Sequence, residues 1–257
     1  MCRLVDVGSI PTLATQNIDV MDEEKYLNMD IADAIIERPQ GFSVGNRHFY
    51  LYPVTLGKLY LLQRLVESLE IDNGVIAINP YVEAIRLAKT KREECCRLVT
   101  YHTLRTKKEV FDYDLVEDRV KYFLENVDEE DLATILITLL TSEKTNIYMK
   151  HLGIDKENER FVRANKARKN SGSISFGGKS IYGSLLDVAC ERYGWTLDYV
   201  VWGISHNNLQ MMLADRVKDL YMTKEEMKKA RITSDDHDVI KAESADAWER
   251  IKQMNWE

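Results

Sequence analysis

The residues best placed by type and spacing to do chemistry are Phe176-Gly177-Gly178-Lys179-Ser180, which end as a phosphate-binding loop does, with backbone amides and a lysine for a nucleotide. That loop needs a glycine five positions before Gly178, where Ser173 stands, and a buried strand ahead of it, where Arg168-Lys169-Asn170-Ser171 is polar. Ile174 and Phe176 read better as a short strand and turn feeding a helix. The histidines at 48, 102, 151, 206 and 237 lack the i, i+4 pairing or neighbouring cysteine pairs of a zinc site. The acidic run Asp128-Glu129-Glu130-Asp131 opens a helix, where carboxylates complement the positive helix end without a metal. Neither a GxSxG elbow nor a cysteine-protease signature occurs. No catalytic residue, cofactor or metal site is expected, and the chain reads as a non-enzyme.

Composition supports an ordinary globular chain. Its 257 residues are 45% hydrophobic and 30% charged, enough to bury a core without disulfide staples. Cys2, Cys95, Cys96 and Cys190 have no CxxC spacing and read as reduced thiols. The net charge of −7 disfavours general nucleic-acid binding, which needs a positive footprint, though a local patch stays open. No run of about 18 apolar residues is present, so no membrane contact is expected.

The elements that would position any site are mostly helices. A helix over 22–37 ends ahead of Pro39; a hairpin over about 41–52 turns at Gly45-Asn46, with Phe49 and Leu51 on one face. Two strands alone are marginal, so they need a helix to pack on or a neighbouring subunit's strand, which leaves homo-oligomerisation open. A helix from Thr55 to Glu70 should bury Leu61, Leu62, Leu65, Val66 and Leu69 and stop at Asn73-Gly74. Asn79-Pro80 starts the next, expected to run to about Leu104 with a solvated basic face. Helices over 114–124 and from Asp128 through Leu140 follow.

Segment 155–170 carries six basic against three acidic side chains and reads as a solvated helix or linker, with phosphate or nucleic-acid contact as the sharper alternative. The expected division is therefore an N-terminal α+β domain over 21–152, a basic flexible linker over 153–178, a helical C-terminal domain over 179–231 and a polar tail over 232–257. The fold class is mainly α with one small β-hairpin. Residues 1–20 are expected to be a mis-assigned extension before a start at Met21, because Gly8-Ser9-Ile10-Pro11 is what translation of a transfer-RNA gene's T-arm yields.

The chain is organised around Ser180 to Leu220, read as three helices. The first places Ile181, Leu185, Val188 and Ala189 on one face and stops at Tyr193-Gly194. The second, capped by Thr196, has two apolar faces: Leu197, Val200, Val201 and Ile204 on one, Trp195, Tyr199 and Trp202 on the other. Such a helix is either sandwiched in its own domain or offers its aromatic side to a partner. A helix-turn-helix reading fails because Trp195 to Ile204 offers no lysine or arginine to bases or phosphates. The third helix, started by Asn207 or Asn208, carries Leu209, Met212, Leu213, Val217 and Leu220. Candidate partner-binding residues are Tyr193, Trp195, Tyr199, Trp202, Leu209, Met211 and Met212, types enriched at interface centres. Beyond them, Thr223 opens a capping box with Glu226, and Ala245, Trp248, Ile251 and Met254 suggest a weak amphipathic helix in the tail.

The wording Tyr193-Gly194-Trp195, then Leu197-Asp198-Tyr199, then Asn208 through Leu213, resembles the C-terminal part of tail assembly chaperones of long-tailed bacteriophages, in particular versions from phages and prophages of Bacteroides-type bacteria. The resemblance extends to Arg38-Pro39 through Leu62 and covers about a third of the chain. It implies a protein that binds the long, helical tape-measure protein in the cytoplasm of the bacterial host, helps tail-tube subunits polymerise around it, and is absent from the mature virion. The family commonly makes a second, longer product by ribosomal frameshifting. Positions carried over are Tyr193, Gly194, Trp195, Asp198, Tyr199 and Leu209 to Leu213. Two rivals are a DNA-binding regulator or packaging accessory using 156–169, and a structural tail or connector protein.

Overall fold

A computed structural model describes residues 20–168 and 177–232. The secondary structure is mainly helical with one two-stranded antiparallel sheet, as the sequence implies. In chain order the elements are α1 (Val20–Ile35), β1 (Gln40–Val44), β2 (Arg47–Leu51), α2 (Leu56–Ser68), α3 (Asn73–Ile78), α4 (Pro80–Thr90), α5 (Arg92–His102), α6 (Lys107–Val110), α7 (Tyr113–Asn126), α8 (Glu129–Leu140), α9 (Thr145–His151), α10 (Ile154–Ala167), a π-helical turn (Tyr182–Leu186) running into α11 (Asp187–Tyr193), then α12 (Leu197–Trp202), α13 (His206–Ala214) and α14 (Lys224–Ala230).

The chain divides into two compact units: residues 20–152 with 177–216, and residues 153–168 with 217–232, among those described. The contacts thus place 177–216 with the N-terminal part instead of in a separate C-terminal domain. Most of the segment expected as a flexible linker is the ordered helix α10. Ile174, Phe176 and the tail helix fall outside the described residues.

In the first unit, β1 and β2 pair with Phe42 opposite Phe49 and Val44 opposite Arg47. Gly45 opens the two-residue turn at φ +54°, a conformation that favours glycine. Strand alternation sends Phe42, Val44, Phe49 and Leu51 inward, where Phe123 of α7 meets Phe49 at 4.8 Å and Phe42 at 6.1 Å. Tyr122 donates its hydroxyl to the Val44 carbonyl at 2.8 Å, so α7 supplies the helix that two strands require. α4 lies along α8, and both contribute to the same main core with Ala84, Leu87 and Ala88 from α4 and Leu132, Ile135 and Leu136 from α8.

Caps explain most boundaries. Thr55, Asp112 and Asp128 accept backbone N–H groups at their helix starts, and Asn79 does so ahead of Pro80. Three expectations need correction. Asn73-Gly74 does not simply stop a helix, since Asp72 caps α3 there with 2.8 and 3.2 Å hydrogen bonds. The helix expected from Pro80 to Leu104 breaks at Lys91 (φ −132°, ψ 41°), because α4 packs on α8 while α5 turns to pack on α7 and α2. α2 buries Leu56, Gly57, Lys58 and Leu62, with Leu69 buried at its C-cap, but exposes Leu61 and Val66, its buried face being turned toward α5 and α12. The short α6 and α9 carry too few residues to show an apolar period in the sequence.

In the second unit α10 and α14 pack together. Gly153 enters α10 at φ +74°, and Thr223 and Glu226 form the expected capping box of α14. Lys218 donates to Asn158 at 2.6 Å and lies 4.8 Å from the Phe161 ring.

Candidate partner-binding surface

The aromatic corner begins with two local devices. Gly194, at φ +65°, ends α11 in the left-handed conformation, and Thr196 accepts the Tyr199 N–H at 3.2 Å to start α12. Only Gly194, Trp195 and Thr196 separate the two helices, so Trp195 sits on the corner itself. Its ring stacks on Tyr193 at 4.6 Å and meets Tyr199 edge-on at 5.1 Å. Tyr193 donates its hydroxyl to the Met212 carbonyl at 3.0 Å, tying the end of α11 to the last turn of α13. Behind this ledge lies a core of Leu56, Leu186, Ala189, Val200, Ile204 and Leu209.

The seven candidate residues therefore part company. Tyr199 is 44% exposed and Met212 37%; Tyr193, Trp195 and Met211 are half-buried. Leu209 is fully buried and cannot touch a partner. Trp202 faces the opposite way, against Phe111 at 5.5 Å and beneath Lys107, whose ammonium lies 5.9 Å from the ring. The choice posed by a helix with two apolar faces resolves into both answers: Trp195 and Trp202 are each half-buried against a different core, Trp195 on the Leu56 cluster and Trp202 on that of Leu104, Val110, Val116 and Val120, while Tyr199 stays at the surface. The opposite face differs too, since Val200 and Ile204 are buried whereas Leu197 is 55% exposed.

Two glycines that sequence reasoning passed over shape this region. A Cβ on Gly203 would lie 2.3 Å from the Tyr199 ring, and one on Gly57 would lie 2.7 Å from the Trp202 ring. The nearest sequence signal was a glycine inside each helical pattern, which implies close packing only when the facing aromatic is known. α13 starts at the Ser205 cap, not at Asn207 or Asn208, and ends at Ala214; Val217 is 79% exposed. Lys107 and Asp198 form a surface ion pair at 2.5 Å.

Chemically reactive groups lie elsewhere and are muted. Burial pushes the Cys95 thiol up to about 12 and the Cys96 thiol up to about 11, so neither is a ready nucleophile. His102, buried with its ring Nδ1 2.8 Å from the Leu98 carbonyl, is lowered to about 4 by burial. Lys58 is buried too, donates to the Leu104 carbonyl, and is lowered to about 8 by burial against the raising effect of Glu109. Asp128 accepts the Asp131 N–H at 2.8 Å, as a helix cap. Gly177 and Gly178 hold φ values of +91° and +69° and lead into the π-helical turn. Among the described residues no group of three or more His, Cys, Asp or Glu is placed to hold a metal, and no helix is long and apolar enough to cross a membrane.

What this arrangement can do is hold an apolar surface by contact, with tyrosine hydroxyls and an indole N–H at hand for orientation. Comparison with protein-family models, curated proteins and solved structures finds no match to any of them.

Proposed function

We propose that this chain is a non-enzymatic tail assembly chaperone of a long-tailed bacteriophage, which holds the tape-measure protein in the host cytoplasm, assists tail-tube assembly and leaves before the particle is complete. The observation that carries the reading is the ledge of Tyr193, Trp195, Tyr199 and Met212, whose rings are already packed on one another before any partner arrives. A preformed aromatic and methionine surface suits the apolar stripe of an amphipathic helix, because little side-chain freedom remains to be lost on binding.

The test is a pull-down of the tagged full chain from infected or prophage-induced cells, scored for the tape-measure protein by mass spectrometry. Its recovery with the wild type and its loss with Trp195→Ala are expected. Failure to recover it, or recovery unchanged by Trp195→Ala, overturns the reading. Proteomics of purified particles should lack the chain; its presence there makes it a structural tail or connector protein.

A further inference from the structure

α13 supplies only half of its own cap. Ser205 accepts the Asn208 N–H at 3.2 Å, but the third helical position, where a capping box has the glutamate that returns to the cap's N–H, is Asn208 itself. Two complete boxes among the described residues show what is missing: Glu109 accepts the Thr106 N–H and Glu226 the Thr223 N–H, each at 2.8 Å. At α13 the carboxylate comes from far along the chain. Glu37 accepts the Ser205 N–H at 2.7 Å and the Asn208 Nδ2 at 3.1 Å, while Asn208 also donates to the Ile35 carbonyl at 3.2 Å. Ser205 is buried, so an N–H without this acceptor would be left unpaired.

Glu37 reaches across from a costly position. It follows α1 at φ +53°, left-handed backbone that suits glycine and penalises any residue with a side chain. The Glu37 N–H on the Ala34 carbonyl at 3.1 Å and the Arg38 N–H on the Asp33 carbonyl at 2.9 Å hold that turn. α1 has little apolar anchorage, Ile31 being its only buried side chain among those described. Its other ties are polar: Asn28 meets His151 at 2.8 Å, and Asp30 pairs with Lys144.

The far end of α13 belongs to the aromatic ledge. The Met212 carbonyl accepts the Tyr193 hydroxyl, and Tyr193 stacks on Trp195. α13 is only nine residues long, so a loosened first turn is felt at its last. We infer that Glu37 is a positioning residue of the ledge, completing the capping box of α13 in trans and so joining the end of α1 to the helix that carries Met211 and Met212. Its consequence for binding rests on the partner surface proposed above; its hold on α13 does not.

The experiment is hydrogen–deuterium exchange of the full chain read by mass spectrometry, beside capture of the tape-measure protein. Glu37→Gly removes the carboxylate and relieves the left-handed backbone, so the fold is kept while α13 loses its acceptor. Exchange across Leu209 to Leu213 should quicken about tenfold, the scale of one hydrogen bond to a charged group, with α4 and α8 unchanged. Adding Asn208→Glu rebuilds the box within α13 and should return exchange toward wild type. Capture should fall with the single change and recover with the double. The role assigned to Glu37 is overturned if Glu37→Gly leaves α13 exchange unchanged, if α4 and α8 quicken as much as α13, or if Asn208→Glu restores nothing. Capture lost with Trp195→Ala but untouched by Glu37→Gly overturns it as well. If the wild type captures no tape-measure protein while α13 responds as stated, the chaperone reading fails and the positioning of α13 by Glu37 is upheld.

Discussion

Gly57 and Trp202 occupy one space: the indole ring lies 2.7 Å from where a side chain on the glycine would begin. Both are held in place, Gly57 on a buried helix face and Trp202 by packing against the core of Leu104, Val110, Val116 and Val120. In a free helix Gly→Ala gains up to about 1 kcal/mol, whereas overpacking a rigid site costs about 1–3 kcal/mol. Gly57→Ala should therefore destabilise the protein by roughly 1–2 kcal/mol in urea denaturation.

Gly203 makes the contrasting case. A Cβ there would lie 2.3 Å from the Tyr199 ring, closer still, but that ring is 44% exposed and can swing into water. Gly203→Ala should change stability by less than about 1 kcal/mol yet disrupt the ledge, so capture of the proposed tape-measure partner should fall while the melting curve stays near wild type. Equal losses in both measurements would contradict this separation.

These two glycines show where the sequence was legible and where it was not. Helix starts at Thr55, Pro80 and Thr196 and the turn at Gly45-Asn46 are written in local chemistry, and the structure has them where the spacing predicts. The split between Trp195 and Trp202 is not local. It depends on which distant cluster each ring packs against, the one with Leu56 and Leu209 or the one with Leu104 and Val110. Lys58 was hidden for the same reason: a lysine in a leucine-rich helix reads as solvent-facing until its amine is seen to donate a hydrogen bond to the Leu104 carbonyl.

His102 predicts an acid-side dependence. Its folded pKa is lowered from 6.5 to about 4 by burial, so the unfolded chain binds a proton that the folded chain refuses between those values. Stability should be full above pH 6.5 and fall by up to about 3 kcal/mol as pH drops toward 4. Chemical denaturation across that range, compared with His102→Gln, measures the effect; the variant should show a flatter profile.

Lys58 predicts the alkaline counterpart. With its pKa lowered from 10.5 to about 8, the unfolded chain holds the extra proton between those values, so this group's contribution to stability rises as pH increases from about 8 to 10.5. Lys58→Met should raise stability near pH 7 and remove that rise.

Glu83 is fully buried, accepting the Asp72 N–H at 2.8 Å and the Arg86 Nε at 2.8 Å. The Arg86 hydrogen bond is the main reason its pKa is lowered, so its contribution is present above pH 4.5 and is lost as pH falls through the lower folded value. Glu83→Gln should cost about 1.5–3 kcal/mol at neutral pH, read by thermal or urea unfolding.

The Ser205 N–H donates to the Glu37 carboxylate at 2.7 Å across 168 residues of sequence, and the His206 N–H meets the Val54 carbonyl at 2.7 Å. At a synthesis rate of about 5–20 residues per second, the N-terminal acceptors wait roughly 10–30 s on the ribosome for their donors. Until then the Leu56 and Gly57 face of α2 has no cover. The nascent chain is thus itself, for a time, an apolar surface in need of a chaperone, and release before Ser205 emerges would leave it permanently so.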